Sequence, residues 1–110
     1  MSFIPDRGDI VWIQMNPQAG REQAGHRPAF VVSPKSYNGK VGLALLCPIT
    51  SKAKGYPFEV PITGKNVRGV VLSDQVKSLD WKAREARLEE KAGRAITDEV
   101  IAKIETLIRN

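Results

Sequence analysis

The run Glu22-Gln23-Ala24-Gly25-His26-Arg27-Pro28 sets a carboxylate, an imidazole and a guanidinium just ahead of the apolar stretch Ala29-Phe30-Val31-Val32. That stretch, rich in β-branched and aromatic residues, reads as a buried strand. Pro28 suits its first position, where no ladder N–H is needed. Charged groups of both signs at a loop–strand boundary are a place to look for chemistry on an anion. The plainer reading is a solvated loop with an Arg–Glu surface pair, an interaction worth little. On loop composition alone the plainer reading prevails.

Other chemistries find less to work with. There is one histidine, His26, and one cysteine, Cys47, with no pair of ligands at zinc or iron spacing. The acids Asp6, Asp9, Glu22, Glu59 and Asp74 are scattered. Neither a phosphate-cradling glycine loop nor a nucleophile elbow is present. Cys47 lies in the apolar run Leu43-Ala44-Leu45-Leu46-Cys47, and its expected role is a small buried hydrophobe rather than a nucleophile.

The 110 residues are expected to form one domain with one core, and 42% of them are apolar, which argues against disorder. The expected location is the cytoplasm: no run approaches a membrane span, the N-terminus does not read as a signal peptide, and a lone cysteine permits no internal disulfide. The net charge of +5 is unevenly spread. Residues 1–79 hold ten basic and five acidic side chains, whereas residues 80–110 hold seven of each. The positive field of the first part suggests a polyanion or an acidic protein as partner.

Around these residues the sequence predicts a small antiparallel sheet closed by one helix. The first strand runs from Ile10 to Met15 after Gly8-Asp9. Both its faces are largely apolar, so it needs cover on both sides, by the core and by a helix or a second subunit. Residues 16–27 form a long loop, and Pro28 to Pro34 the second strand. Asn38-Gly39 is placed at a hairpin turn requiring positive φ. The third strand runs from Val41 to Ile49, a basic loop follows, and the fourth covers Phe58 to Ile62 with Pro61 marking an edge. Val70 to Ser73, with Val76 and Leu79, make the fifth. Residues 81–90 have helix propensity but only Trp81 and Leu88 as an apolar seam. In the final helix Thr97 is the expected N-cap, and Val100, Ile101, Ile104, Leu107 and Ile108 form one stripe.

Five segments in order, Pro5-Asp6-Arg7-Gly8-Asp9-Ile10-Val11-Trp12, Glu22 to Ala29, Cys47-Pro48-Ile49-Thr50, Lys54-Gly55-Tyr56-Pro57-Phe58-Glu59-Val60 and Ser73-Asp74-Gln75-Val76-Lys77-Ser78, give the chain a resemblance to the MazF/PemK toxins of bacterial toxin-antitoxin modules. Each segment alone is weak; together they span the chain and overturn the plainer reading of Arg27. The resemblance implies a mainly β fold with a C-terminal helix, a Src-homology-3-like barrel of the MazF/PemK/CcdB type. It implies that residues 80–91 form a turn and a short strand, which is followed here over propensity. It further implies a homodimer and an endoribonuclease that cuts single-stranded RNA, including messenger RNA, at a short sequence without a metal or other cofactor. A small antitoxin with an acidic, disordered tail would neutralise it.

The family's catalytic pair falls on Arg27 and Thr50. Attack by the RNA's own 2′-hydroxyl passes through a phosphorane rich in negative charge. An Arg fork matches phosphate oxygens bidentately, and a Thr hydroxyl can donate to the same phosphate. Because Arg stays cationic, Glu22 and His26 are the candidates for the base. The simpler role of each is to anchor its loop. Lys52, Lys54, Lys77 and Arg84 are the candidate phosphate track, with a solvated basic surface as the alternative. Tyr56 is the best of the aromatic residues for stacking a base, ahead of Trp12, Tyr37 and Trp81. Two rival readings stay open: a CcdB-like toxin that inhibits a topoisomerase through protein contacts, and a catalytically silent nucleic-acid-binding module.

Overall fold

The computed structural model describes residues 3–16 and 25–109. In chain order it comprises β1 (Asp9–Gln14), β2 (His26–Val31), α1 (Lys35–Val41), β3 (Ala44–Thr50), β4 (Glu59–Thr63), β5 (Arg68–Leu72), β6 (Lys77–Leu79), β7 (Arg87–Lys91) and α2 (Arg94–Ile108). The strands pair antiparallel in the order β4-β5-β3-β2-β1-β7, and β6 also pairs β3. β3 is the hub. One of its edges carries β2, and the other carries β6 along Ala44–Leu46 and then β5 at Ile49 and Thr50. The result is an antiparallel half-barrel with a C-terminal helix, the fold class expected.

Alternation along the strands sorts apolar side chains to two faces. On one, Ile10, Phe30, Cys47, Ile49, Val60 and Val71 pack with Val100 of α2. On the other, Val11, Ile13, Ala29, Val31 and Leu46 pack against Phe3, Trp81 and Ala86. Ile10 is fully buried within this chain and so leaves no uncovered face for a second subunit, while Trp12, on the same face of β1, is half-buried. Cys47 is wholly buried, and burial, helped by the nearby Asp74 charge, pushes its thiol up to about 12.

Four local expectations need correction. Residues 35–41 are helical, not a hairpin turn, because the Asn38 side chain is drawn into the interior. Its amide donates to the carbonyls of Pro5 (2.8 Å) and Ser33 (3.0 Å) and accepts from the Ser33 hydroxyl. The positive φ falls on Gly42, at 84°, where the helix ends. What reads as one fifth strand is two, β5 and β6, with a turn between them. α2 begins at Arg94 with Gly93, at φ 89°, as its N-cap, so Thr97 sits inside the first turn and donates to the Gly93 carbonyl (2.7 Å). The apolar stripe of α2 is also shorter than its pattern: Val100 is buried and Ile101 and Ile104 pack on the core, but Leu107 and Ile108 are 51% and 75% exposed.

Residues 80–86 turn instead of extending a helix. The Asp80 carboxylate accepts the Ala83 N–H (2.9 Å), and Glu85 takes φ 55°. β7 then pairs with β1. The half-barrel is drawn together at its seam by one side chain of β7. The Glu90 carboxylate accepts the N–H groups of Lys65 (3.0 Å), Asn66 (2.9 Å) and Val67 (2.8 Å) in the β4–β5 turn. Burial raises its pKa, but those three N–H groups outweigh it and hold the carboxyl below the usual carboxylate range.

Candidate active site

Arg27 and Thr50 come from neighbouring strands. β2 and β3 pair Ala29 with Pro48 and Phe30 with Cys47. The same register carried two residues on sets Arg27 opposite Thr50, on one face of the sheet. Both line a cleft of about 500 Å³ together with Lys52, Lys54 and Arg68. Among the described residues lining it, four are cationic and none is acidic. The Thr50 Oγ1 accepts the Lys52 N–H (3.2 Å). A hydroxyl that accepts in this way keeps its own proton to donate.

The loop after Thr50 is shaped by a carboxylate behind it. Glu59 is buried at the start of β4, and its two oxygens accept the N–H groups of Lys54 and Gly55, each at 2.9 Å. Gly55 has φ 82°, which permits the sharp bend between the two cations and Tyr56. The Tyr56 hydroxyl donates to Asp74 Oδ1 (2.8 Å), tying the loop to the β5–β6 turn. Burial, then that bond and the Asp74 and Glu59 charges, raise the Tyr56 phenol to about 12. Tyr56, Asp74 and Gln75 line a second hollow of about 640 Å³ that shares Thr50, Lys52 and Lys54 with the first. A phosphate at Thr50 would thus have a cationic cleft on one side and, on the other, a hollow of mixed character where Tyr56 and Gln75 stand beside the carboxylates of Glu59 and Asp74.

Gly69 supports Thr50 from β5. Its φ is 147°, and a Cβ there would lie 2.2 Å from the Thr50 carbonyl oxygen. Only a residue without a side chain lets the two backbones approach so closely.

The remaining candidates fall elsewhere. His26 is exposed and adjacent to Arg27, so the pleat turns it to the other face, where its ring meets Trp12 edge-on at 5.5 Å. It lines a separate hollow with Gln14, Asp80 and Arg84. The Arg84 guanidinium bonds the carbonyls of Gln14 and Asn16. Lys77 stands on β6 opposite Leu46. Trp81 donates its indole N–H to the Asn38 carbonyl (3.0 Å), and Tyr37 lies on α1. Glu22 lies outside the described residues.

Arg68, Glu59 and Gly69 are additions that sequence reasoning missed. Arg68 stands at the start of a β-branched run and reads as an ordinary strand-end charge. Glu59, between Phe58 and Val60, was a sign in itself, since a lone carboxylate in an apolar strand asks for a partner. Gly69 before Val70-Val71 was another.

A family model described as the PemK-like, MazF-like toxin of type II toxin-antitoxin systems matches residues 6–110. The chain is 49% identical over 109 residues to the endoribonuclease toxin MazF of Escherichia coli (strain K12), with 96% of each chain covered. It is similar to the crystal structure of MazF (Form-I) from Deinococcus radiodurans, with a TM-score of 0.93 and 48% identity over 97% of this chain and 98% of that one. It also matches the MazE–MazF crystal structure (Form-III) from Deinococcus radiodurans, with a TM-score of 0.86 and 47% identity over 96% and 97% of the two chains.

Proposed function

This chain belongs to the PemK-like, MazF-like toxins of type II toxin-antitoxin systems, and on that premise we propose that it cuts single-stranded RNA by attack of the RNA's own 2′-hydroxyl. The observation that carries this reading is the register-opposed pair of Arg27 and Thr50 in a cleft whose other charged side chains are Lys52, Lys54 and Arg68. In the reaction the 2′-oxygen bonds to phosphorus and the bond to the 5′-oxygen breaks. The products are a 2′,3′-cyclic phosphate and a 5′-hydroxyl. The Arg27 fork binds the non-bridging oxygens as charge develops on them, and the Thr50 hydroxyl donates to the same phosphate. Lys52, Lys54 and Arg68 hold the strand on either side. Glu22 is the candidate to accept the 2′-proton, since His26 lies on the other face of the sheet with Trp12. Tyr56 offers a face for a neighbouring base.

A cognate antitoxin neutralises the enzyme, an acidic segment of it lying across the same cleft, and the working toxin is a homodimer. The complex of the Deinococcus radiodurans homologue with MazE supports the first statement; family membership supports the second.

One defined oligonucleotide tests the chemistry. Replacing the ribose 5′ of the cut with deoxyribose abolishes cleavage and leaves binding within a few-fold, because phosphate and base contacts dominate affinity. EDTA has no effect. Mass spectrometry finds a cyclic phosphate upstream and a 5′-hydroxyl downstream. Arg27→Ala and Arg27→Lys each lose about 10²–10³-fold in cleavage rate, Lys because it lacks the fork. A cut deoxy substrate, or full activity in Arg27→Ala, refutes the mechanism.

A further inference from the structure

We infer that Arg84 is a positioning residue, which sets Arg27 by locking the neck of the connection between β1 and β2. Its Nη1 donates to the Gln14 carbonyl at 3.0 Å and to the Asn16 carbonyl. These carbonyls mark the point where the chain leaves β1. The return is tied to the same place: Met15 donates its N–H to the Gly25 carbonyl (2.9 Å), and Gly25 donates to the Asn16 Oδ1 (2.9 Å). Arg27 follows two residues later. A side chain so near the end of a paired strand takes its direction from whatever fixes that end.

Arg84 is built to be the fixed point. It sits in the turn after β6, where its own N–H bonds the Asp80 carbonyl (3.1 Å) and the Ala86 N–H bonds the Trp81 carbonyl (2.9 Å). The Trp81 indole anchors the turn to α1. A guanidinium directed at two backbone carbonyls is spent as a clamp, since it has five donors and no acceptor. The Arg84 Nη1 is engaged with the carbonyls of Gln14 and Asn16, in a hollow separate from the Arg27–Thr50 cleft.

This inference rests on Arg27 acting on the phosphate, and its test separates the two. Hydrogen exchange of single amides is followed in the wild type, Arg84→Ala, Arg84→Lys and Asn16→Ala. Arg84→Ala and Asn16→Ala speed exchange of the Met15 and Gly25 amides at least ten-fold and leave the core amide of Phe30 unchanged; Lys, with a single donor group, falls between. For RNA cleavage, Arg84→Ala lowers kcat ten-fold or more, with KM within two-fold and the salt dependence of binding unchanged. The double variant Arg84→Ala with Asn16→Ala loses less than the product of the two singles, since both act through one neck. Unchanged Met15 and Gly25 exchange in Arg84→Ala overturns the clamp. So does a raised KM with full kcat and a salt slope lower by about 0.7, the signature of one lost phosphate contact on a single strand. Normal cleavage by Arg27→Ala would refute the catalytic reading while the exchange data still judged the clamp.

Discussion

Replacing Gly69 with alanine probes how tightly Thr50 is held. The new methyl would lie 2.2 Å from the Thr50 carbonyl oxygen, 2.9 Å from its carbon and 3.2 Å from Ser51 Cα. All three are backbone atoms, so no side chain can swing aside. An ordinary carbon–oxygen contact is roughly 3.3 Å, so β5 and the end of β3 must part by about 1 Å. The backbone carries a second cost, since φ is 147° and an L side chain there is strained by ~1–3 kcal/mol. Overpacking against a rigid neighbour adds ~1–3 kcal/mol. The expected loss is ~2–6 kcal/mol, a large part of the ~5–15 kcal/mol that holds a domain together. Urea denaturation at constant m-value reads it directly, and a loss of ~3 kcal/mol corresponds to a melting point lower by roughly 10–20 °C. Below that melting point, single-turnover RNA cleavage falls by about 10²-fold, the cost of moving a reacting group by about 1 Å. A midpoint shift worth less than about 0.5 kcal/mol would refute the packing argument. A destabilised but fully active variant would remove Thr50 from the reaction.

Two further outcomes follow from the fold and the family. Glu90→Gln keeps one acceptor oxygen and loses the charge that three N–H groups share, so it costs about 1–2 kcal/mol at neutral pH. The folded-state pKa of Glu90 is lowered, so its contribution is present above the unfolded pKa and lost as pH falls through the folded one. The gap between wild type and variant therefore closes on acidification, and urea midpoints at pH 7 and pH 3 measure it; a gap that widens in acid contradicts the clasp. In sedimentation at micromolar concentration the toxin runs as a dimer, and a monomer there would sink that part of the proposal.

How much of this was legible depended on whether local chemistry and distant packing agreed. The apolar runs around Val11, Phe30, Leu46 and Val71 became strands where their pattern put them, because burial rewards alternation in the same way everywhere. Arg27 and Thr50 were visible as residues, yet their alignment is a register, which needs the pairing of Ala29 with Pro48 to be known. Asn38-Gly39 misled because its turn chemistry is real, but hydrogen bonds from a buried amide to Pro5 and Ser33 outweigh it. Thr97 is a good cap by type, and Gly93 holds the position because its φ of 89° suits the preceding bend. His26 and Arg27 read as one cluster along the chain; the pleat separates them. The partners of Glu59 and Arg84 are backbone groups, which carry no mark in a sequence.

The two outer strands of the half-barrel bear on how this molecule avoids and accepts company. A bare strand edge is a template on which any extended chain can add itself. Along β4 the template is interrupted by Pro61, which has no N–H to offer and is exposed. β7, Arg87-Leu88-Glu89-Glu90-Lys91, is mostly charged, and its Glu90 is already committed to the β4–β5 turn. Neither border invites an eighth strand. Growth into filaments by edge-to-edge stacking is thereby discouraged along both of these strands. On the proposed reading, recognition falls instead to the cleft of Arg27 and Thr50, where selectivity comes from the arrangement of side chains and not from the backbone's indiscriminate capacity to pair.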